Sequence, residues 1–242
     1  MREGLSGIIL AGGNSRRMGR DKAFLPWGGA TLLAHVIETL RPVVDELLVV
    51  VADAKCQTLR KAGISQKVSD TFSVRVVEDV VPNAHALGGL YTGLRAAAHE
   101  LCFVCACDAP FLNVPLIRFL VEQADGYELV IPKTRQGLES LHAIYAKTAL
   151  GAIRQQLDHR QWDLKALASK VRTRVVASDL LHRFDPEGLS CFNINAPEDL
   201  AQALLIQQHV MRSSLPPAHR WVSHVPRSFK ENGEEHQEVK HD

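Results

Sequence analysis

The amino-acid sequence predicts an α/β fold of three layers, α/β/α, built on a mostly parallel sheet. Two observations carry this. Apolar runs short enough for buried strands fall at 7–10, 47–52, 74–77, 101–107 and 128–131, and stretches with helical periodicity lie between them at 31–40, 55–62, 89–99 and 114–124. Such alternation is the order of parallel strands joined by crossover helices. Hydrophobic residues make up 46% of the 242, enough to bury a sizeable core in one domain.

Taken in order, Ile8, Ile9 and Leu10 form a short apolar strand, and Gly12 and Gly13 behind it let the backbone turn tightly. The run Leu101–Cys107 is apolar throughout and ends on Asp108-Ala-Pro110, a turn into the helix around Pro115. In the second half a turn at Gln136-Gly137 precedes a strand-like run at 141–146. Helical patterns cover 148–157 and 163–169, and Arg174–Ala177 reads as a strand. Phe192–Asn195 leads into a last helix, which Pro197-Glu198-Asp199 opens with proline in its first turn and acids at the positive end of its dipole. Residues 1–212 are expected to form one domain. From 213 the chain runs Ser-Ser-Leu-Pro-Pro and then polar and charged to Asp242, the composition of a mostly disordered tail.

Net charge is +1 and the isoelectric point about 7.8, so there is no global electrostatic case for nucleic acid or an anionic membrane. The first residues lack the apolar region of a signal peptide and no run has the length to span a bilayer, which leads us to expect a cytoplasmic protein. Five cysteines, an odd number, argue against a complete disulfide framework. Cys105 and Cys107 should share one face of their strand and Cys102 the other, which suits small buried hydrophobes better than a zinc cluster.

Parallel sheets bind ligands beyond the carboxyl ends of their strands. Gly12-Gly13 and Cys107-Asp108 both fall there. The glycine turn offers backbone N–H groups to phosphate oxygens, and Arg16, Arg17 and Lys22 add positive charge, so residues 7–22 point to a nucleoside triphosphate. Their spacing matches neither a P-loop nor a dinucleotide fingerprint. Asp108, at the end of a buried run, is placed either to hold Mg²⁺ with triphosphate oxygens or to cap the following turn. Asn193 and Asn195 are two apart and project to one face of an extended chain. They suit a metal site, although Asn195 can equally cap the last helix. Asp79 can accept from guanine N1–H and the 2-amino group together, or cap its own loop. His142, among Leu141, Ala143 and Ile144, is either a core histidine or a ligand-side one.

The stretch Leu10-Ala-Gly-Gly-Asn-Ser-Arg-Arg-Met-Gly-Arg-Asp-Lys22 resembles the signature loop of the nucleotidyltransferase superfamily, and is most similar to its molybdenum cofactor guanylyltransferase branch. Cys107-Asp-Ala-Pro110 resembles the family's metal-binding motif, Glu139–Tyr145 its Gln-Pro-Leu-His-Ala-Val-Tyr, and Phe192–Leu200 its Asn-[Val/Ile]-Asn-Thr-Pro-Glu-Asp-Leu, with Ala196 in place of Thr. Ala86–Leu90 resembles a Gly-Pro-Leu-Ala-Gly loop, but His85 and Ala86 replace its Gly-Pro, and Ala52 stands where relatives often carry Asn.

The resemblance implies a Rossmann-like nucleotidyltransferase fold and Mg²⁺-dependent transfer of GMP from GTP to the phosphate of molybdopterin, with release of pyrophosphate. It implies contacts from Leu10, Ala11, Gly12 and Gly13 to base and phosphates, and catalytic charge from Arg17 and Lys22. Asp108 and Asn195 would hold Mg²⁺, Asp79 and Gly88 would meet the nucleotide, and His142 and Asn193 would lie toward the acceptor. Molybdoenzymes or their chaperones would receive the product. Other readings are a related enzyme that uses CTP or a sugar or polyol phosphate, and a non-catalytic nucleotide-binding regulator. A nicotinamide dehydrogenase would need the missing glycine fingerprint. If 213–242 is a solvated tail, a chain ending at Arg212 should fold and turn over at near the full-length rate. Aggregation or lost activity on that truncation would show that the tail docks on the domain.

Overall fold

The computed structural model describes residues 4–12, 21–61, 64, 66–67, 72–81 and 83–214. Gly13, Arg16, Arg17 and the tail from 215 to 242 therefore lie outside the described residues. By contacts the chain divides into Met1–Ala203 and Leu204–Asp242. The first unit holds the sheet, and the described part of the second is helical.

The strands are β1 (Leu5–Leu10), β2 (Pro26–Trp27), β3 (Ala30–Thr31), β4 (Glu46–Val51), β5 (Gln66–Lys67), β6 (Ser73–Glu78), β7 (Leu101–Ala106), β8 (Leu129–Thr134), β9 (Gly137–Leu138), β10 (His142–Ala146) and β11 (Thr173–Val176). The helices are α1 (Leu32–Leu40), α2 (Asp53–Lys61), α3 (His85–Ala96), α4 (Val114–Glu122), α5 (Leu150–Asp158), α6 (Ser178–His182) and α7 (Pro197–Ser214). Among the described residues the main sheet runs β11-β8-β10-β7-β1-β4-β6-β5, with β9 paired to β8. β1 is parallel to both β4 and β7, and β6 continues the parallel set beside β4. β10 is antiparallel to both its neighbours.

Alternation along each strand sends successive residues to opposite faces, and two cores result. On one face Ile9, Phe103 and Cys105 pack with Leu33, Val36 and Leu40 of α1, Leu59 of α2 and Leu120 of α4. On the other, Ile8, Cys102 and Val104 pack with Leu87, Leu90 and Leu94 of α3 and Ile153 of α5. This is the three-layer arrangement expected from the sequence, with Cys105 and Cys107 on one face and Cys102 on the other. All five cysteines are free thiols.

The differences from expectation have local causes. Residues 163–169 form a 3-10 helix, Leu164–Ser169, capped by the Asp163 side chain. α3 starts at His85, four residues before the expected 89, and ends at Ala96, three before the expected 99, because Ala97 takes an extended conformation. The β2–β3 hairpin turns on Gly28 and Gly29, both at positive φ, and is too short to show a strand pattern. A third, small core joins Leu25, Trp27 and Leu32 to Ile194 and Ala203.

At the amino ends of the strands Glu46 is buried and accepts from the Ser6 hydroxyl (2.7 Å), Arg75 (2.9 Å) and the Ala98 amide. Burial by itself would raise its pKa, but the Ala98 amide, the Ser6 hydroxyl and Arg75 outweigh it and hold the carboxyl below its ordinary value near 4.5. A lowered carboxyl contributes stability that is complete above the unfolded value and lost as pH falls through the folded one. Glu46→Gln should cost about 1–3 kcal/mol at pH 7. In urea unfolding the variant should also lose less stability than wild type below pH 4.5; an equal acid loss would show that Glu46 is not held ionised.

Candidate functional site

The register of β1 brings four carboxyl ends level. Leu10 lies opposite Val50 on one side and Ala106 on the other. The ladder runs on past the strands: Ala11 N–H donates to Val50 (2.8 Å), Asp79 N–H to Val51 (2.8 Å) and Cys107 N–H to Leu10 (3.1 Å). The residues that follow each strand, Ala11 and Gly12, Ala52, Asp79, and Cys107 and Asp108, line one cavity of about 1190 Å³. That exceeds the roughly 300–1,000 Å³ of ordinary small-molecule sites.

Lys22 and Asp108 face each other across it. Lys22 Nζ lies 2.6 Å from Asp108 Oδ2 and 3.1 Å from Asn195 Oδ1. The carboxylate and the amide oxygen thus converge on one positive group. Asp108 does not cap the following helix; Asn113 does, accepting from Leu116 N–H at 2.9 Å. Asn195 turns its Oδ1 to Lys22, while its own amide and that of Ala196 donate to Asp199 (2.7 and 2.9 Å). The capping alternative for Asp108 is therefore filled by another side chain. Ile194 is fully buried beside Leu25, Trp27 and Leu32, and its amide donates to the Asp108 carbonyl (2.9 Å). With Ile194 turned inward, Asn193 and Asn195 both line the cavity. Asn193 Nδ2 bonds the Cys191 carbonyl (3.1 Å), and its buried Oδ1 has no hydrogen-bond partner.

Asp79 lines the cavity and also braces its own loop. Its Oδ1 accepts from Val81 N–H (3.0 Å) and Thr92 Oγ1 (2.7 Å). Gly88 does not line the cavity. A Cβ there would lie 2.6 Å from the Val81 carbonyl oxygen, so this glycine lets α3 pack beneath the Asp79–Val81 segment. Its neighbour Gly89 is the one on the wall.

His142 is not on the wall either. Because β10 runs antiparallel, its first residue lies opposite Cys105 near the same sheet edge, but the ring turns into the interior. It is 2% exposed, edge-on to Phe103 at 5.2 Å, and its Nε2 is 3.2 Å from Ser190 Oγ. Ser190 in turn accepts from Asn113 N–H. His142 thus fixes the 189–195 segment from behind, and Leu141 takes the cavity position. A motif read in one dimension put the imidazole on the acceptor side; side-chain alternation on β10 puts it in the core.

Two residues were missed by sequence reasoning. Lys55, in the first turn of α2, and Asp21 both line the cavity and pair at 2.6 Å. The available signal was position alone: Lys55 follows the carboxyl end of β4 as Asp108 follows that of β7. Among the described residues no group of three or more His, Cys, Asp and Glu could hold a metal. A cation here would rest on the one or two protein oxygens usual for Mg²⁺.

A family model described as the MobA-like NTP transferase domain matches residues 7–174. A molybdenum cofactor guanylyltransferase of Desulfosudis oleivorans is 33% identical over 203 residues, covering 83% of this chain and 95% of that one. The chain belongs to the molybdenum cofactor guanylyltransferase family. The crystal structure of molybdopterin-guanine dinucleotide biosynthesis protein A from Archaeoglobus fulgidus superposes with a TM-score of 0.71 at 25% identity, over 84% of this chain and 99% of that one. A 4-diphosphocytidyl-2C-methyl-D-erythritol synthase from Anaerococcus prevotii shares the fold, with a TM-score of 0.63 at 18% identity over 85% and 99% of the two chains.

Burial holds the His142 pKa down at about 4, from an ordinary 6.5. The folded state therefore resists a proton that the unfolded chain accepts, and stability should fall as pH drops from 6.5 toward 4, by up to about 3 kcal/mol. In His142→Gln, urea unfolding should show a lower stability at pH 7 and a flatter slope across that window. An unchanged slope would mean that another group titrates there.

Proposed function

We propose that this chain transfers GMP from GTP to the phosphate of molybdopterin, forming the guanine dinucleotide cofactor and releasing pyrophosphate. The observation that carries the reading is the convergence of Asp108 Oδ2 and Asn195 Oδ1 on the Lys22 ammonium at the carboxyl edge of the sheet, in a chain of this family. Hard oxygens that already share one cation suit Mg²⁺, and the Lys22 ammonium marks the point at which they meet. Bound there, Mg²⁺ would supply positive charge to the phosphate oxygens.

An acceptor phosphate oxygen attacks the α-phosphorus of GTP in line; the bond to the β-phosphate bridge breaks and pyrophosphate leaves with its electron pair. The acceptor oxygen is ionised at neutral pH, so no strong base is needed, and the work is positioning and charge neutralisation. Lys22 is released from Asp108 to neutralise the leaving pyrophosphate, with Arg17 assisting, and the backbone of Leu10 to Gly13 follows base and phosphates. Asp79 keeps Oδ1 for its loop and offers Oδ2 to the guanine N1–H and 2-amino donors. Asn193 Oδ1, buried and unpartnered, is the acceptor-side group in place of His142.

No described helix is long and apolar enough to cross a membrane, and we place the enzyme in the cytoplasm, handing its product to molybdoenzymes or their chaperones. We take Met1 to Arg212 as the catalytic domain and 213–242 as its tail. The reading is tested by incubating the protein with each of the four nucleoside triphosphates, Mg²⁺ and molybdopterin, and measuring pyrophosphate. GTP should be the productive nucleotide. Asp108→Ala should remain folded and lose at least about 10²-fold in turnover. Preference for CTP would overturn the guanylyl assignment, and full activity of Asp108→Ala the metal assignment.

A further inference from the structure

We propose that Lys55 is a positioning residue for nucleotidyl transfer, tying Ala11 to Asp21 and so aiming the neighbouring Lys22 at the triphosphate. This rests on the nucleotidyltransferase reading of the site. Lys55 stands in the first turn of α2, where its amide bonds the Ala52 carbonyl, and its side chain is only 15% exposed. Its Nζ donates to the Ala11 carbonyl (2.7 Å) and to Asp21 Oδ1 (2.6 Å). Ala11 precedes the glycine turn and Asp21 closes the basic stretch behind it, so one ammonium from another part of the sheet edge fastens the two ends of that stretch.

The fastening continues into the site. Asp21 Oδ1 also accepts from Ala23 N–H (3.0 Å) and caps the 3-10 helix Lys22–Phe24. Asp21 and Lys22 are therefore held by separate partners, Asp21 by Lys55 and Lys22 by Asp108 and Asn195. The two ion pairs, Lys22 with Asp108 and Lys55 with Asp21, both line the cavity and carry no net charge between them. Enclosing an ammonium costs desolvation, which a merely solubilising lysine would avoid by staying in water. An ammonium has three donors, and the two bonds to Ala11 and Asp21 account for two of them, on a side chain that lines the cavity.

The test compares full-length wild type with Lys55→Met, Lys55→Gln, Asp21→Asn and the Lys55→Met/Asp21→Asn double variant. Melting temperature, Mg–GTP affinity by calorimetry and kcat for pyrophosphate release are measured. The clamp predicts near-native melting for the single variants, an affinity loss of about 10-fold and a kcat loss of about 10- to 100-fold, the scale of a 1 Å misplacement. The double variant should be no worse than the poorer single, because both break the same link. Single variants that bind and turn over like wild type, or losses that simply multiply, overturn the proposal. So does unfolding of all three single variants, since the pair would then be structural only. Should wild type release no pyrophosphate with any of the four nucleotides, the functional reading fails. Lys55 is then judged on nucleotide affinity alone: a loss supports the clamp and an unchanged value overturns it.

Discussion

Every feature of the site depends on β1 being paired in parallel on both sides. Ile8 and Ile9 are fully buried, one on each face, so a slip of one residue would exchange the two cores and is strongly opposed. That register sets Leu10 level with Val50 and Ala106. From there it sets where the backbone leaves the sheet. Ala11, Ala52, Asp79 and Asp108 come from positions far apart in the chain, yet each is the first or second residue past a strand in the same parallel set. The catalytic edge is a consequence of hydrophobic packing, and the polar residues need only occupy the right count after each strand.

The electrostatic arrangement follows from that packing. Lys22 and Asp108 are largely buried side chains with 17% and 11% exposure, and a pair so enclosed has lost much of its hydration. Removal of one partner would leave the other uncompensated, the costly case for buried charge. Lys55 and Asp21 repeat the arrangement beside it. The four groups cancel one another, and each of the two lysines is already bonded to a carboxylate. Side chains bonded to one another in this way hold their geometry by themselves, which suits chemistry based on positioning.

Much of the fold was legible because each core strand is an apolar run and each core helix an amphipathic one. What could not be read was direction and facing. Nothing in His142–Ala146 distinguishes an antiparallel strand from a parallel one or shows which face of the sheet His142 takes. The sites at Asp108 and Asn195 were readable because they stand at the ends of buried runs, yet capping competed with ligand binding for both. Asn113 resolves it for Asp108 by doing the capping, and Asn195 shows its side by turning Oδ1 to Lys22. Lys55 was illegible for a different reason. A lysine in the first turn of a helix looks like a solvated side chain, and its partners Ala11 and Asp21 lie 44 and 34 residues away. Gly88 and Gly89 show the finest limit: adjacent and identical in type, one is required by the Val81 carbonyl and the other lines the cavity.

Two of the departures from the family pattern, His85 and Ala86, open α3 just behind the segment that follows β6. Asn83 and His85 both adopt positive φ, 68° and 52°, a region that costs a non-glycine residue about 1–2 kcal/mol. Such a conformation persists only where its surroundings over-determine it. Here the surroundings are on the page: Asp79 accepts from Val81 and Thr92, Thr92 accepts from Val80, and Gly88 lets α3 press against the Val81 carbonyl. These contacts use backbone groups and residues other than 85 and 86, so replacing Gly-Pro by His-Ala leaves the bracing of the loop intact. What changes is the wall, because His85 and Ala86 both line the cavity, as Ala52 does opposite them. The chain thus departs from the family pattern in side chains that face the cavity, while the support beneath Asp79, the residue proposed to read the base, is in place.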